Sequence, residues 1–167
     1  MKWFITPSII LLVVAMPLHR AQADNLKPLD FDPLALLVGE WQGKDPEGEP
    51  MTASYQWTSG GASLVETLTM AEKPTMTTMY HADKGEFMLT HYCALGNQPR
   101  MRAAMPKGDA KTLAFNFVDA TNLAKPTDTH KHNMSLSFQD QDHFIQEWVL
   151  SKDGKELPHR LEFALVK

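Results

Sequence analysis

The residues able to do chemistry gather in one short stretch and three outlying positions. Thr90-His91-Tyr92-Cys93 is followed closely by Asn97-Gln98-Pro99-Arg100. An imidazole, a thiol, two amides and a guanidinium can fix the polar end of a small molecule, and Arg100 can clamp a carboxylate or phosphate. His130 and His132, two apart on a strand, project to one face. That spacing can chelate a divalent metal or haem-type iron if His91 or His159 completes the set. Cys93 as a nucleophile needs a base within hydrogen-bond reach. His91, two residues away on the same strand face, is roughly 6.6 Å off, which is too far. Glu66 is the one acid predicted to face inward, short of the pair that glycoside hydrolysis uses. There is no Walker loop, dinucleotide fingerprint or HExxH motif. No catalytic set of residues emerges.

The elements that must position these groups are strands. A short apolar run, Pro33 to Val38, predicts one or two helical turns, with Asp32 as N-cap and Pro33 at the first helical position. From Gly39 onward the hydrophobic period is two. Ten strands are expected, at 39–44, 52–58, 62–71, 75–82, 86–93, 98–105, 111–118, 132–139, 143–151 and 157–166, separated by turns rich in Gly, Pro, Asn and Asp. Short sequential hairpins without long helices imply an all-β fold, an up-and-down antiparallel barrel with no exposed edge and a short N-terminal helical plug.

Alternation predicts the inner face. Leu64, Glu66, Leu68 and Met70 share one side, as do Phe144, Gln146, Trp148 and Leu150. An apolar interior with a few polar groups, Glu66 and Gln146 among them, is the composition of a small-molecule pocket. At the hairpin Asp83-Lys84-Gly85, a three-residue turn with Gly85 left-handed places Met79, His81, Phe87, Leu89, His91 and Cys93 inside, whereas a two-residue turn puts Tyr80 inside instead; the former is preferred. His81 and His91 would then lie roughly 13 Å apart, so they form no metal pair. Strand direction sends His81 to the plugged end, as a structural residue. It gathers His91, Cys93, Asn97, Gln98, Arg100, His130, His132 and His159 at the other end, the expected mouth.

Composition bounds the partners. Lys2, the apolar run Trp3–Leu18 and Ala21-Gln22-Ala23 form a cleavable signal peptide, so residues 1–23 should be removed, 24–32 form a leader and 33–167 a single domain. The expected location is the periplasm or the exterior. Removing 23 of the 167 residues leaves 144, with 14 basic against 20 acidic residues, a net charge near −6. That disfavours nucleic acid as a partner. No later apolar run is long enough to give stable membrane insertion by a helix. A single cysteine provides no internal disulfide framework.

Gly39-Glu40-Trp41-Gln42-Gly43, after Leu36-Leu37, resembles the start of the calycin barrels: lipocalins, fatty-acid-binding proteins and nitrobindin-like haem barrels. The resemblance implies that Trp41 lies at the closed end beside a short helix. It also implies that a late arginine, nearest Arg160, packs on it, and that a haem ligand, if present, is nearest to His159. Tyr80-His81 and Thr90-His91-Tyr92-Cys93 with Gly96-Asn97-Gln98-Pro99-Arg100-Met101 also resemble a motif of uncharacterised secreted bacterial lipocalin-like proteins. Together these readings predict an exported barrel holding a small, largely apolar or amphipathic ligand with a polar or anionic end. His91, Cys93, Asn97, Gln98, Arg100, Glu66 and Gln146 would contact it, while Gly39, Trp41, His81 and Gly85 would be structural. The alternatives are a haem or metal barrel using His91, His132 and His159, and a barrel-type isomerase or cyclase.

Overall fold

A computed structural model describes residues 32–106 and 111–167; the expected signal peptide and most of the leader lie outside the described residues. After helix α1 (Asp32–Ala35) come ten strands: β1 (Gly39–Lys44), β2 (Pro50–Thr58), β3 (Ser63–Met70), β4 (Lys73–Asp83), β5 (Glu86–Tyr92), β6 (Gln98–Ala104), β7 (Thr112–Thr121), β8 (His130–Phe138), β9 (His143–Lys152) and β10 (Lys155–Leu165). Each pairs antiparallel with its sequence neighbours, and β10 closes on β1. The fold is the predicted closed, up-and-down barrel. No helix among the described residues is long and apolar enough to cross a membrane.

The closed end is built as expected. Leu34 and Leu37 beside α1 are fully buried. Trp41 donates its indole N–H to the Leu37 carbonyl at 2.6 Å, which ties the plug to β1. Its ring meets Phe144 edge-on at 4.7 Å, and Phe144 stacks on Phe163 at 4.9 Å. Arg160 does not pack there: it is exposed and hydrogen-bonds Glu162 and Glu147. The β1–β10 seam is short, pairing only Trp41, Gln42 and Gly43 with Leu165, Ala164 and Phe163. Gly43 makes it possible, since a Cβ there would stand 2.6 Å from the Glu162 carbonyl oxygen.

The central hairpin corrects the preferred register. Asp83 pairs with Glu86, and Lys84 and Gly85 both take positive φ, 53° and 82°. This is a two-residue turn whose twist matches the flanking strands, and Lys84 accepts the left-handed conformation that the three-residue reading reserved for Gly85. A one-residue slip exchanges the faces of a strand. Thr78, Tyr80 and Ala82 therefore point inward on β4, and His81 lies on the other face, its ring Nδ1 3.1 Å from the Ala82 carbonyl.

Candidate functional site

One row of paired residues crosses the barrel interior: Tyr55 on β2, Glu66 on β3, Thr78 on β4 and His91 on β5. The Glu66 carboxyl is surrounded by donors. Tyr55 O–H reaches Oε1 and Tyr80 O–H reaches Oε2, each at 2.9 Å, and Gln146 Nε2 reaches Oε1 at 2.7 Å. The orientation of the Gln146 amide follows from Trp148, whose indole N–H can only donate and does so to Gln146 Oε1 at 3.0 Å. Trp148 in turn packs on His91, with ring centroids 4.7 Å apart, and His91 Nδ1 lies 2.9 Å from Thr78 Oγ1. The contacts run from Glu66 through Gln146 and Trp148 to His91 and Thr78, which pairs with Glu66 in register.

This layer is solid. A void able to hold water would leave accessible surface on its lining. Tyr55, Leu64, Glu66, Thr78, Tyr80, Leu89, Leu136 and Gln146 have none. The barrel's middle is thus filled by its own side chains. This corrects the expectation that the apolar interior holds a ligand's body, and that Glu66 and Gln146 touch a ligand directly. Burial pushes the Glu66 carboxyl above the usual carboxylate range, opposed by the hydrogen bonds it accepts from Gln146, Tyr80, Thr78 and Tyr55. Burial, with Glu66 beside them, pushes both tyrosine hydroxyls up as well. His91 is pushed down to about 3, chiefly by burial and then by the Lys131 cation, so its ring is neutral. Its Nε2 is buried without a hydrogen-bond partner.

Above this layer the mouth is organised around a residue that strand alternation missed. Leu150 and Trp148 lie on the inner face of β9. Lys131 pairs with Leu150, whereas Asn133 pairs with Val149, so His132 is an extra residue in a β-bulge. The bulge turns Lys131 inward. Its Nζ lies 5.6 Å from the centre of the Trp148 ring, a cation–π contact. Burial lowers the Lys131 pKa, with Cys93 acting against that. His159, paired with Trp148, is lowered by burial and then by Lys131. Lys131 therefore stands among His91, Cys93, His159 and Trp148. The strict alternation of Met134, Leu136 and Phe138 extrapolates to His132 and His130 inside and Lys131 outside, and no sequence feature marks the bulge.

The other predicted site residues separate. His91, Glu66 and Gln146 face inward as expected, and Cys93 is a partly buried free thiol. Asn97 is buried, but its amide N–H₂ donates to the Thr129 carbonyl at 2.9 Å and so docks the 122–129 loop on the turn before β6. Gln98 is tied to the Gly96 carbonyl and the Thr121 hydroxyl. Arg100 corrects the mouth clamp: it faces outward and makes two hydrogen bonds to Asp119. The interior positions of β6 belong to Pro99, Met101 and Ala103, which leaves both arginines of the strand outside. His130 and His132 engage each other. His130 Nδ1 is 2.7 Å from the Asp128 carbonyl, so it carries a proton. His130 Nε2 lies 3.2 Å from His132 Nδ1. Both rings pack on Phe117, 4.8 and 4.6 Å away, and fill the split where β7 and β8 part. Among the described residues no three His, Cys, Asp or Glu side chains converge as metal ligands. The surroundings of His91 do not fit haem, since Trp148 packs against the ring and Nε2 has no exposed surface.

A groove of about 700 Å³ lies outside the barrel where β1, β2 and β10 meet, lined by Gln42, Lys44, Pro50, Thr52, Arg160 and Glu162. Its arginine is already held by Glu162 and Glu147.

No protein-family model matches the chain, and no curated protein does. Among solved structures the chain is similar to a protein of unknown function of the DUF3598 family from Nostoc punctiforme PCC 73102, with 11% identity and a TM-score of 0.42. The match covers 80% of this chain and 49% of that one, so the chain spans about half the length of that protein.

Proposed function

We propose that this chain is an exported, lipocalin-like barrel that binds a small amphipathic ligand across its mouth, with the ligand's anionic end at Lys131. The observation that carries the reading is the bulge at His132, which turns a lysine inward onto Trp148. A half-buried ammonium without a carboxylate ion pair among the described residues loses solvation that an anion can restore. Around it the inner face offers an apolar collar: Met70 and Met76, both packed on the core, and Leu157 opposite Leu150. Methionines adapt to irregular apolar shapes, and Leu157 is 41% exposed. Arg100 has no part in this site. The filled middle limits the ligand to the mouth.

The test is isothermal titration of the mature protein with decanoate and with decanol at matched concentration. Decanoate is expected to bind and decanol to bind at least tenfold more weakly. Lys131→Met should erase the difference. Equal binding of acid and alcohol by the unaltered protein would reject the anionic end, and failure of both would reject mouth binding.

A second reading, an isomerase or cyclase of the barrel type, draws on Glu66 and His91 flanking Thr78 in register. Neither side chain has surface through which a substrate can reach it, and binding is therefore the reading supported best.

A further inference from the structure

We infer that His130 and His132 form a two-histidine site for a tetrahedral divalent ion of the Zn²⁺ class, set in the barrel wall where β7 and β8 part. The inference does not rest on carboxylate binding at Lys131. It starts from the bulge. His132 is the extra residue of β8, between Lys131 and Asn133, and the pairing of β7 with β8 ends at Phe115 and Met134. Next to that last pair, the Asn133 side-chain oxygen accepts the Phe117 backbone N–H at 3.1 Å. The two imidazoles stand in the gap, both against the Phe117 ring. His130 is buried and His132 is partly exposed, so an ion reaches the pair from the His132 side.

Proton placement and spacing suit a metal. The Asp128 carbonyl can only accept, so His130 Nδ1, 2.7 Å away, carries a proton. The neutral ring keeps its lone pair on Nε2. A ring N–H held by a backbone carbonyl is the arrangement that fixes the tautomer and orientation of a metal-binding histidine. His132 makes no hydrogen bond among the described residues except the one to His130. Its ring can therefore turn Nδ1 to an ion and carry its proton on Nε2. The two facing nitrogens are 3.2 Å apart. Nitrogens about 2.0–2.1 Å from a tetrahedral ion stand roughly 3.3 Å apart, and those at right angles on a square-planar ion roughly 2.9 Å. The spacing is nearer the tetrahedral value, which selects Zn²⁺ over Cu²⁺. No third His, Cys, Asp or Glu converges among the described residues, so water or an exogenous anion fills the remaining positions.

Titration of the metal-free protein with Zn²⁺, in competition with a chromophoric chelator, should show one ion per chain. His132→Ala and His130→Gln should each weaken binding at least tenfold. His143→Ala, which removes the exposed histidine beside Asp140, should leave it unchanged. Long-range ¹H–¹⁵N spectra of the parent protein give a readout that needs no variant to fold: Zn²⁺ should shift His130 Nε2 and His132 Nδ1 while His130 Nδ1 stays protonated. Absence of stoichiometric binding overturns the site. So does binding that leaves the His130 and His132 resonances unmoved, or that survives His132→Ala undiminished.

Discussion

His91 makes the protein sensitive to acid by an amount that can be worked out. Its ordinary pKa is 6.5, and in the folded barrel it is about 3. The folded state therefore refuses a proton that the unfolded chain accepts. Stability is complete above pH 6.5 and is lost as pH falls toward 3, at about 1.4 kcal/mol per pH unit. Integrated from pH 7 to pH 4.5, the loss from this one residue is about 2.5 kcal/mol. Glu66 acts in the opposite sense, since its raised pKa makes the folded state hold a proton more readily as pH falls.

The contribution of His91 is isolated by comparison with His91→Asn, which keeps a polar atom near Thr78 and does not titrate. At pH 7 the variant should be less stable than the parent, by roughly 1–3 kcal/mol for the lost ring volume. At pH 4.5 that deficit should shrink by about 2.5 kcal/mol, and it can change sign. Urea unfolding of both proteins at the two pH values measures this directly, with Glu66 and the other titrating groups common to both. A deficit that stays constant between pH 7 and 4.5 would show that His91 takes up a proton in the folded barrel, and would refute its assignment as a buried neutral base.

Three further substitutions probe the frame. Glu66→Ala strands the donors of Tyr55, Tyr80 and Gln146 in a dry interior and should cost about 3–5 kcal/mol in urea unfolding; a loss below about 1 kcal/mol would mean that water enters the layer. Gly43→Ala puts a methyl group 2.6 Å from a backbone oxygen at the β1–β10 seam. It should cost about 2 kcal/mol and speed amide exchange at Phe163 and Leu165 while sparing β5. Arg100→Ala breaks an exposed, solvent-screened pair with Asp119 and should leave the urea midpoint essentially unchanged, with no effect on carboxylate binding; weaker binding would return Arg100 to the mouth.

Most of the barrel was legible because turns and alternation are local properties. Asp140-Gln141-Asp142 and Lys152-Asp153-Gly154 announce their hairpins, and the apolar alternation of β3, β8 and β9 names their inner faces correctly, Glu66 and Gln146 included. The ends of the barrel followed from strand direction alone. What was not legible depends on register between strands. Lys84-Gly85 suits either a two- or a three-residue turn, and the choice is made by packing far from the turn, where Tyr80 and Thr78 find Glu66 and His91. The bulge at His132 is likewise invisible in the local pattern. It exchanges the faces of Lys131 and its neighbours, so that Lys131 and not Arg100 reaches the inner face.

The buried polar layer would be an inefficient device if stability were its only purpose, because well-packed apolar side chains serve a core as well or better than a desolvated charge. Its members also contact the residues at the mouth: Gln146 holds the Trp148 indole, Trp148 packs on His91 and lies under Lys131, and Thr78 hydrogen-bonds His91 Nδ1. Thr78→Val distinguishes these purposes. It keeps the side-chain shape and removes the hydroxyl, so His91 Nδ1 loses its hydrogen-bond partner. If the layer were only a core, the variant would lose stability and nothing else would change. If it also positions His91 and Trp148 at the mouth, the variant should bind decanoate more weakly than the parent protein, with the His91 ¹⁵N resonances shifted. Unchanged decanoate binding with unchanged His91 resonances would mean that Thr78 does not govern His91, and the contacts through Glu66 would then be a matter of packing alone.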